Sequence, residues 1–216
     1  MLVILIGSKQ AGKDTFAREL TKNLDFTRVA FGDEVKKEIL IGLEKYDHII
    51  QYELVNHLTK PELKEVILPL LGVSARYLMQ NWGADRREID EFYWISRTLA
   101  KCNYLLEQDN NARIVITDCR YKNELDSILY WYSTMKPDHV YTVKIERDGL
   151  ENDMHESESL AKDTSIKYDY TITNNGTEKE FQKKALEFGK YITREKDERK
   201  DLESSVVSTD TDSSGG

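Results

Sequence analysis

The chain has 216 residues, 31 of them Lys or Arg and 39 Asp or Glu, for a formal net charge of −8. That length suits one domain, with or without an inserted subdomain, and it can bury a core without disulfide or metal staples. Three Pro and eleven Gly exclude collagen-like and low-complexity chains, twelve Tyr, six Phe and three Trp argue against global disorder, and the acidic balance argues against a duplex-nucleic-acid binder while leaving room for a local basic pocket.

In chain order, residues 2–6 form a continuous Leu, Val and Ile run, as expected of a strand buried on both faces. Residues 7–12 read as a loop, and 13–24 as a helix with Phe16, Ala17, Leu20 and Leu24 on one stripe. A short strand fits 27–31. The stretch from about 33 to 108 reads as helical: Pro61 suits a helix start, Ser74 can cap a helix, Gly83 can end it, and a longer helix is predicted over 89–107. Residues 112–118 repeat the buried-strand pattern, followed by a helix over 123–132, strands at 139–145 and 169–173, and a helix over 177–194. Strands alternating with helices imply an α/β fold around a parallel sheet.

The tail from Asp201 on carries four acidic residues and no basic ones, is rich in Ser and Thr, and is expected to be disordered. Cys102 and Cys119 lie far apart, outside any Cys-x-x-Cys spacing, and read as small buried hydrophobes. No stretch approaches the roughly 20 apolar residues of a membrane helix. The expectation is a soluble, cytoplasmic protein with no membrane partner.

The segment Gly7-Ser-Lys-Gln-Ala-Gly12-Lys13-Asp14-Thr15 matches G-x-x-x-x-G-K, directly after a buried strand and opening a helix, the context this motif requires. Glycines let the backbone wrap close to phosphate oxygens, successive N–H groups form an anion nest, and the helix N-terminus adds its dipole. Lys13 supplies a mobile charge for the terminal phosphates. Asp14 stands where Ser or Thr usually ligates Mg²⁺ and offers a hard oxygen of its own, with Thr15 beside it. Asp118 at the end of the second apolar strand is placed where open α/β sheets bind ligands, and can serve the metal or the acceptor. No Asn-Lys-x-Asp base-reading motif of regulatory GTPases is present, so a small kinase fits best.

Four blocks then carry a specific resemblance: Gly7 to Thr15; Arg76, Gln80, Gly83, Arg87 and Trp94 in one stretch; Asp118-Cys-Arg120-Tyr-Lys-Asn-Glu124; and His155-Glu156-Ser-Glu158 with Asp169 and Asn174-Asn-Gly176-Thr177. In this order they resemble the bacteriophage deoxynucleoside monophosphate kinase family. Ala84, Cys119 and Tyr121-Lys122 depart from its pattern. The resemblance implies a P-loop NTPase-like sheet flanked by helices in a single kinase domain (1–200), with a helical acceptor-binding insertion at about 33–108, a lid at about 147–165, and the acidic tail at 201–216. It implies transfer of the γ-phosphoryl of ATP to a deoxynucleoside monophosphate, with Mg²⁺. Gly7, Lys9, Ala11, Gly12, Lys13, Asp14 and Thr15 would bind ATP, with Asp14, Thr15 and Asp118 at the metal. Lys13, Asp118, Arg120 and Glu124 would form the catalytic set. Arg76, Gln80, Gly83, Arg87 and Trp94 would bind the acceptor with Arg120 and Glu124, and Arg147, Glu156 and Glu158 would belong to the lid. A viral source, and thus the host cytoplasm, and a homodimer are expectations of the same kind. The alternatives are a kinase of another small acceptor, such as dephospho-coenzyme A, and a nucleotide-binding protein without turnover.

Overall fold

The computed structural model describes residues 1–43, 48–135, 140–150 and 159–209, with side chains described to residue 195 except at 135, 159 and 162. Strand β1 (Leu2–Ile6) is fully buried, and its alternation splits it between two cores. Leu2, Ile4 and Ile6 pack on one face of the sheet, Val3 and Leu5 on the other. This is why the run shows no polar alternation: a central parallel strand has helices on both sides.

The sheet has five strands in the order β2 (Phe26–Val29), β5 (Arg113–Ile116), β1, β6 (Val140–Glu146), β7 (Tyr170–Thr173), and every pairing is parallel. The chain leaves β1 toward β2 on one side and leaves β5 toward β6 on the other. The crevice between the carboxyl ends of β1 and β5 is therefore the topological switch point, where such sheets take their ligands. The loop after β1 is Gly7–Gly12, and the residues after β5 are Thr117 to Arg120.

Helix α1 (Lys13–Asn23) lays Phe16, Ala17 and Leu20 on one face of the sheet, against α8 (Glu178–Thr209) with Phe181, Ala185 and Phe188. The start of α8 is a complete capping box: Thr177 N–H donates to Glu180 at 2.7 Å, and Glu180 N–H donates to the Thr177 hydroxyl at 3.3 Å. Its backbone stays helical to Thr209, into the stretch whose composition predicts disorder. No Gly or Pro interrupts the chain between Gly189 and that point, so a helix already started has no local stop. Residues 210–216 lie outside the described residues.

The opposite face carries α2 (Phe31–Gly42), α4 (Ala75–Ile89), α5 (Tyr93–Gln108) and α6 (Lys122–Met135), with α3 (His48–Thr59) packed on α2 and α4. The insertion between β2 and β5 is helical as expected, with one difference. A small antiparallel hairpin, β3 (Ile67–Leu68) and β4 (Val73–Ser74), closes at Gly72, whose φ of +68° suits glycine. Pro61 opens a short 3₁₀ helix, and the Ser74 hydroxyl accepts Tyr77 N–H at 3.2 Å as the cap of α4. Gly83, expected to end α4, lies buried in its interior, and the helix runs on to Ile89. The reason is packing. The Trp94 indole donates to the Gly83 carbonyl at 3.0 Å, which holds this turn of α4 against α5. A four-residue α7 (Ser159–Lys162) precedes β7. Among the described residues no helix is long and apolar enough to cross a membrane, and both cysteines are buried free thiols.

Candidate active site

The loop after β1 wraps tightly because three of its residues take left-handed backbone: Gly7 (φ +155°), Gln10 (φ +64°) and Gly12 (φ +112°). A Cβ on Gly7 would collide with the Ile145 carbonyl, and one on Gly12 would meet Asn174 Nδ2 at 2.5 Å and the Phe181 ring at 2.8 Å. Both glycines are thus required by conformation and by space. Asn174, at the end of β7, donates from its side chain to the Ala11 carbonyl at 2.8 Å and from its backbone to Glu146 O at 2.7 Å. The last two strands are pinned to the loop in this way.

The Lys13 ammonium folds over the loop and donates to the carbonyls of Gly7 and of Ser8, the latter at 2.9 Å. A flexible cation resting on its own loop carbonyls is ready to exchange them for phosphate oxygens. Beside it opens a cavity of about 440 Å³. Gly12, Lys13, Asp14 and Thr15 form one wall, and Arg147, Asn174 and Gly176 form another. The second wall brings Asn174 and Gly176, which the sequence offers only within the fourth block of the resemblance, to the side of the cavity facing the loop. Their signal was present as Asn-Asn-Gly after a strand. Glu156 and Glu158, expected in the lid with Arg147, lie outside the described residues.

Across the crevice stands α4. Arg76, Gln80, Gly83 and Arg87 are spaced 4, 3 and 4 residues apart, which puts all four on one stripe of the helix. Arg76 Nε donates to Glu65 at 2.9 Å, and Glu65 also lies 3.9 Å from the phosphate-loop Lys9. Gln80 is exposed. Arg87 sits 4.5 Å over the Tyr121 ring and 3.5 Å from Glu124. Arg86 is taken up elsewhere. It donates to Glu38 at 2.6 Å, and the Trp82 indole and Tyr93 hydroxyl donate to the same carboxylate at 3.0 and 2.6 Å. Glu38 thereby ties α2, α4 and α5 together behind the stripe. Nothing in its sequence neighbourhood announces this, because its partners lie 44 to 55 residues away.

Three expected site residues have structural duties. Trp94, placed by resemblance at the acceptor base, is 1% exposed, edge-on to Tyr93 at 4.9 Å, with its indole N–H spent on Gly83. It has no open face for a base and instead forms the wall behind Gly83. Asp118 accepts the Phe31 and Gly32 N–H groups, one on each oxygen, both at 2.8 Å. It caps α2, whose N-cap residue Ala30 has no side chain for the task. Each oxygen retains a lone pair for a water. Asp118→Ala is expected to cost about 2 kcal/mol in urea denaturation by leaving two helix N–H groups without their acceptor, and Asp118→Asn less, since one acceptor oxygen survives.

Glu124 is the third. Its Oε2 accepts the N–H groups of Arg120 (2.8 Å) and Tyr121 (3.2 Å), so it caps α6 from inside the first turn. Burial pushes its carboxyl up to about 7, with the Asp118 charge adding to the rise and the Arg120 N–H and Arg87 opposing it. An unfolded Glu titrates near about 4.3. Between these values the folded state binds the extra proton, so the contribution of Glu124 to stability is fully present below about pH 4.3 and is lost as pH rises through 7. Glu124→Gln is expected to flatten that fall in unfolding midpoints measured from pH 4.5 to 7.5.

A parallel sheet of this order, a glycine-bracketed loop with its lysine at the head of α1, and a cation-bearing helix across the crevice define a P-loop kinase. Within that class the family is shown directly. The family model for deoxynucleotide monophosphate kinase matches residues 48–185, and the chain belongs to that family. It is therefore a phosphotransferase of nucleotide metabolism. A protein of Acanthamoeba polyphaga mimivirus named provisionally as a deoxynucleotide monophosphate kinase is 29% identical over 192 residues, covering 84% of this chain and 92% of the relative. The solved dephospho-CoA kinase of Campylobacter jejuni superposes with a TM-score of 0.50 over 90% of this chain and 98% of its own, at 14% identity, a likeness of fold. The phosphate loop precedes the stretch matched by the family model and rests on its own geometry.

Proposed function

We propose that the protein transfers the γ-phosphoryl of ATP to a deoxynucleoside monophosphate, yielding the diphosphate and ADP. The observation that carries this reading is the pairing, across one crevice, of the Lys13 loop with the Arg76–Arg87 stripe of α4. One side suits a triphosphate and the other an anionic acceptor. In this reading the loop amides and Lys13 hold the β- and γ-phosphates. The donor nucleoside lies in the cavity walled by Arg147, Asn174 and Gly176. Arg76 and Arg120 hold the acceptor phosphate, and Gln80 meets the acceptor base.

The residues fit a magnesium ion held mainly by phosphate oxygens and water. Among the described residues no cluster of three or more His, Cys, Asp or Glu forms a protein metal cage, whereas Asp14 and Thr15 bring hard oxygens to the cavity wall. When bound, Mg²⁺ neutralises charge on the transferring phosphates. Lys13 and the arginines then stabilise the charge spread over the transferred group, and the acceptor oxygen displaces ADP in line. One kinase domain over 1–200, acting in the cytoplasm with 33–108 as acceptor module and 147–165 as lid, completes the proposal.

Coupled ADP release, with ATP and Mg²⁺ against dAMP, dGMP, dCMP, dTMP, hydroxymethyl-dCMP and the ribonucleotides, tests it. Release that depends on a deoxynucleotide supports the reading. Release only with dephospho-coenzyme A, or with no acceptor at all, overturns it.

A further inference from the structure

Lys64 follows the short 3₁₀ helix Pro61–Leu63 and is half-buried. Among the described residues no carboxylate lies within ion-pair distance of its ammonium. Its charged neighbours come from four other segments: Lys36 on α2, Arg76 on α4, Arg120 after β5, and Asp14 in the first turn of α1. Burial holds the Lys64 ammonium below the usual lysine range, Lys36, Arg76 and Arg120 push it further down, and Asp14 opposes them.

The main chain fixes this placement. The Lys64 carbonyl accepts the Arg76 N–H at 2.9 Å, and the neighbouring Glu65 takes Arg76 Nε at 2.9 Å and faces Lys9 at 3.9 Å. One turn of chain thus touches both the acceptor helix and the phosphate loop. Lys36 has its own carboxylate, Asp33 at 2.7 Å, and Arg76 has Glu65. Lys64 has no such partner among the described residues, and Lys36, Arg76 and Arg120 all bear electrostatically on its ammonium in a protein of net charge −8. Such a concentration of like charge is unfavourable until an anion enters, and it focuses a positive field where one can.

We propose that Lys64 binds the phosphate of the acceptor, donating from its ammonium to the same phosphate that Arg76 and Arg120 grip. It stays protonated throughout: the acceptor oxygen forms the new bond to the γ-phosphorus, the bond to the β-phosphate oxygen breaks, and Lys64 moves no proton. This inference deepens the acceptor reading above and rests on it.

Two measurements test it. In steady-state kinetics with each accepted deoxynucleotide, Lys64→Gln is expected to raise the acceptor KM about tenfold or more while leaving the KM for ATP within about twofold, and Lys64→Arg to restore most of the loss. Unchanged acceptor KM, or an equal rise for both substrates, in a variant with wild-type circular dichroism overturns it. The second measurement uses the unaltered full chain. Acetic anhydride labelling, read residue by residue by mass spectrometry, is expected to modify Lys64 faster than exposed lysines, and dGMP or dTMP to protect it at least threefold where ADP does not. Equal labelling with and without both deoxynucleotides overturns the proposal, whether or not the variants fold. Absence of turnover in the wild type strikes the proposed function, and the labelling result is read independently of it.

Discussion

Lys13→Ala is expected to lower kcat/KM for phosphoryl transfer about 10³-fold, with the unfolding midpoint unchanged within error. The magnitude follows from removing one preorganised cation from a site whose chemistry is almost entirely charge stabilisation. The stability statement follows from the structure. The Lys13 ammonium donates to two loop carbonyls, Gly7 O and Ser8 O, at the edge of an open cavity, where water replaces it at little cost. Coupled ADP release at saturating ATP, with urea denaturation of the same preparations, checks both halves. Loss of activity together with a large loss of stability would show the lysine to be a structural clasp of the loop.

Trp94→Ala is expected to destabilise the protein by about 4 kcal/mol in urea denaturation, one of the largest losses available to a single substitution here. The indole is 1% exposed, packs edge-on to Tyr93, and donates its N–H to Gly83 O inside α4. Alanine leaves a cavity at the junction of α4 and α5 and removes the hydrogen bond that joins them there. Trp94→Phe keeps most of the volume and is expected to cost about 1.5 kcal/mol, with the ranking of acceptor bases unchanged. If phenylalanine instead altered the base ranking at little cost in stability, the indole would be a base platform and its burial would have to open on binding.

Both expectations concern residues visible in the sequence, but they were legible to different degrees. The Lys13 loop is legible in full because every part of it is local: an apolar strand, a glycine-bracketed loop and a helix start within fifteen consecutive residues. The same holds for α1 and the start of α8, whose buried stripes are Phe16, Ala17, Leu20 and Phe181, Ala185, Phe188, and for the cap at Ser74. Trp94 could be placed on a helix but not on one side of it. Whether an aromatic faces a groove or a core depends on which helix lies against it, and the contact with Gly83 on α4 is invisible to periodicity. Gly83 shows the same limit: as a local signal glycine ends helices, but here it lies inside α4, with its carbonyl accepting the Trp94 indole N–H from α5.

The class of fold, the phosphate loop with Lys13 at its head, and the helical stretch that carries Arg76 and Arg87 are all legible from the sequence alone. These properties are written in residues close together along the chain, where strand and helix periods and backbone preferences act. Only the tertiary structure decided the rest. It made Asp118 the cap of α2 across 86 to 87 residues, set Glu38 as the tie between three helices, and brought Lys36, Arg76, Arg120 and Asp14 within electrostatic reach of Lys64. The physical reason is that a hydrogen bond or a charge acts on whatever stands within a few ångströms, and chain folding, not chain order, brings those partners together.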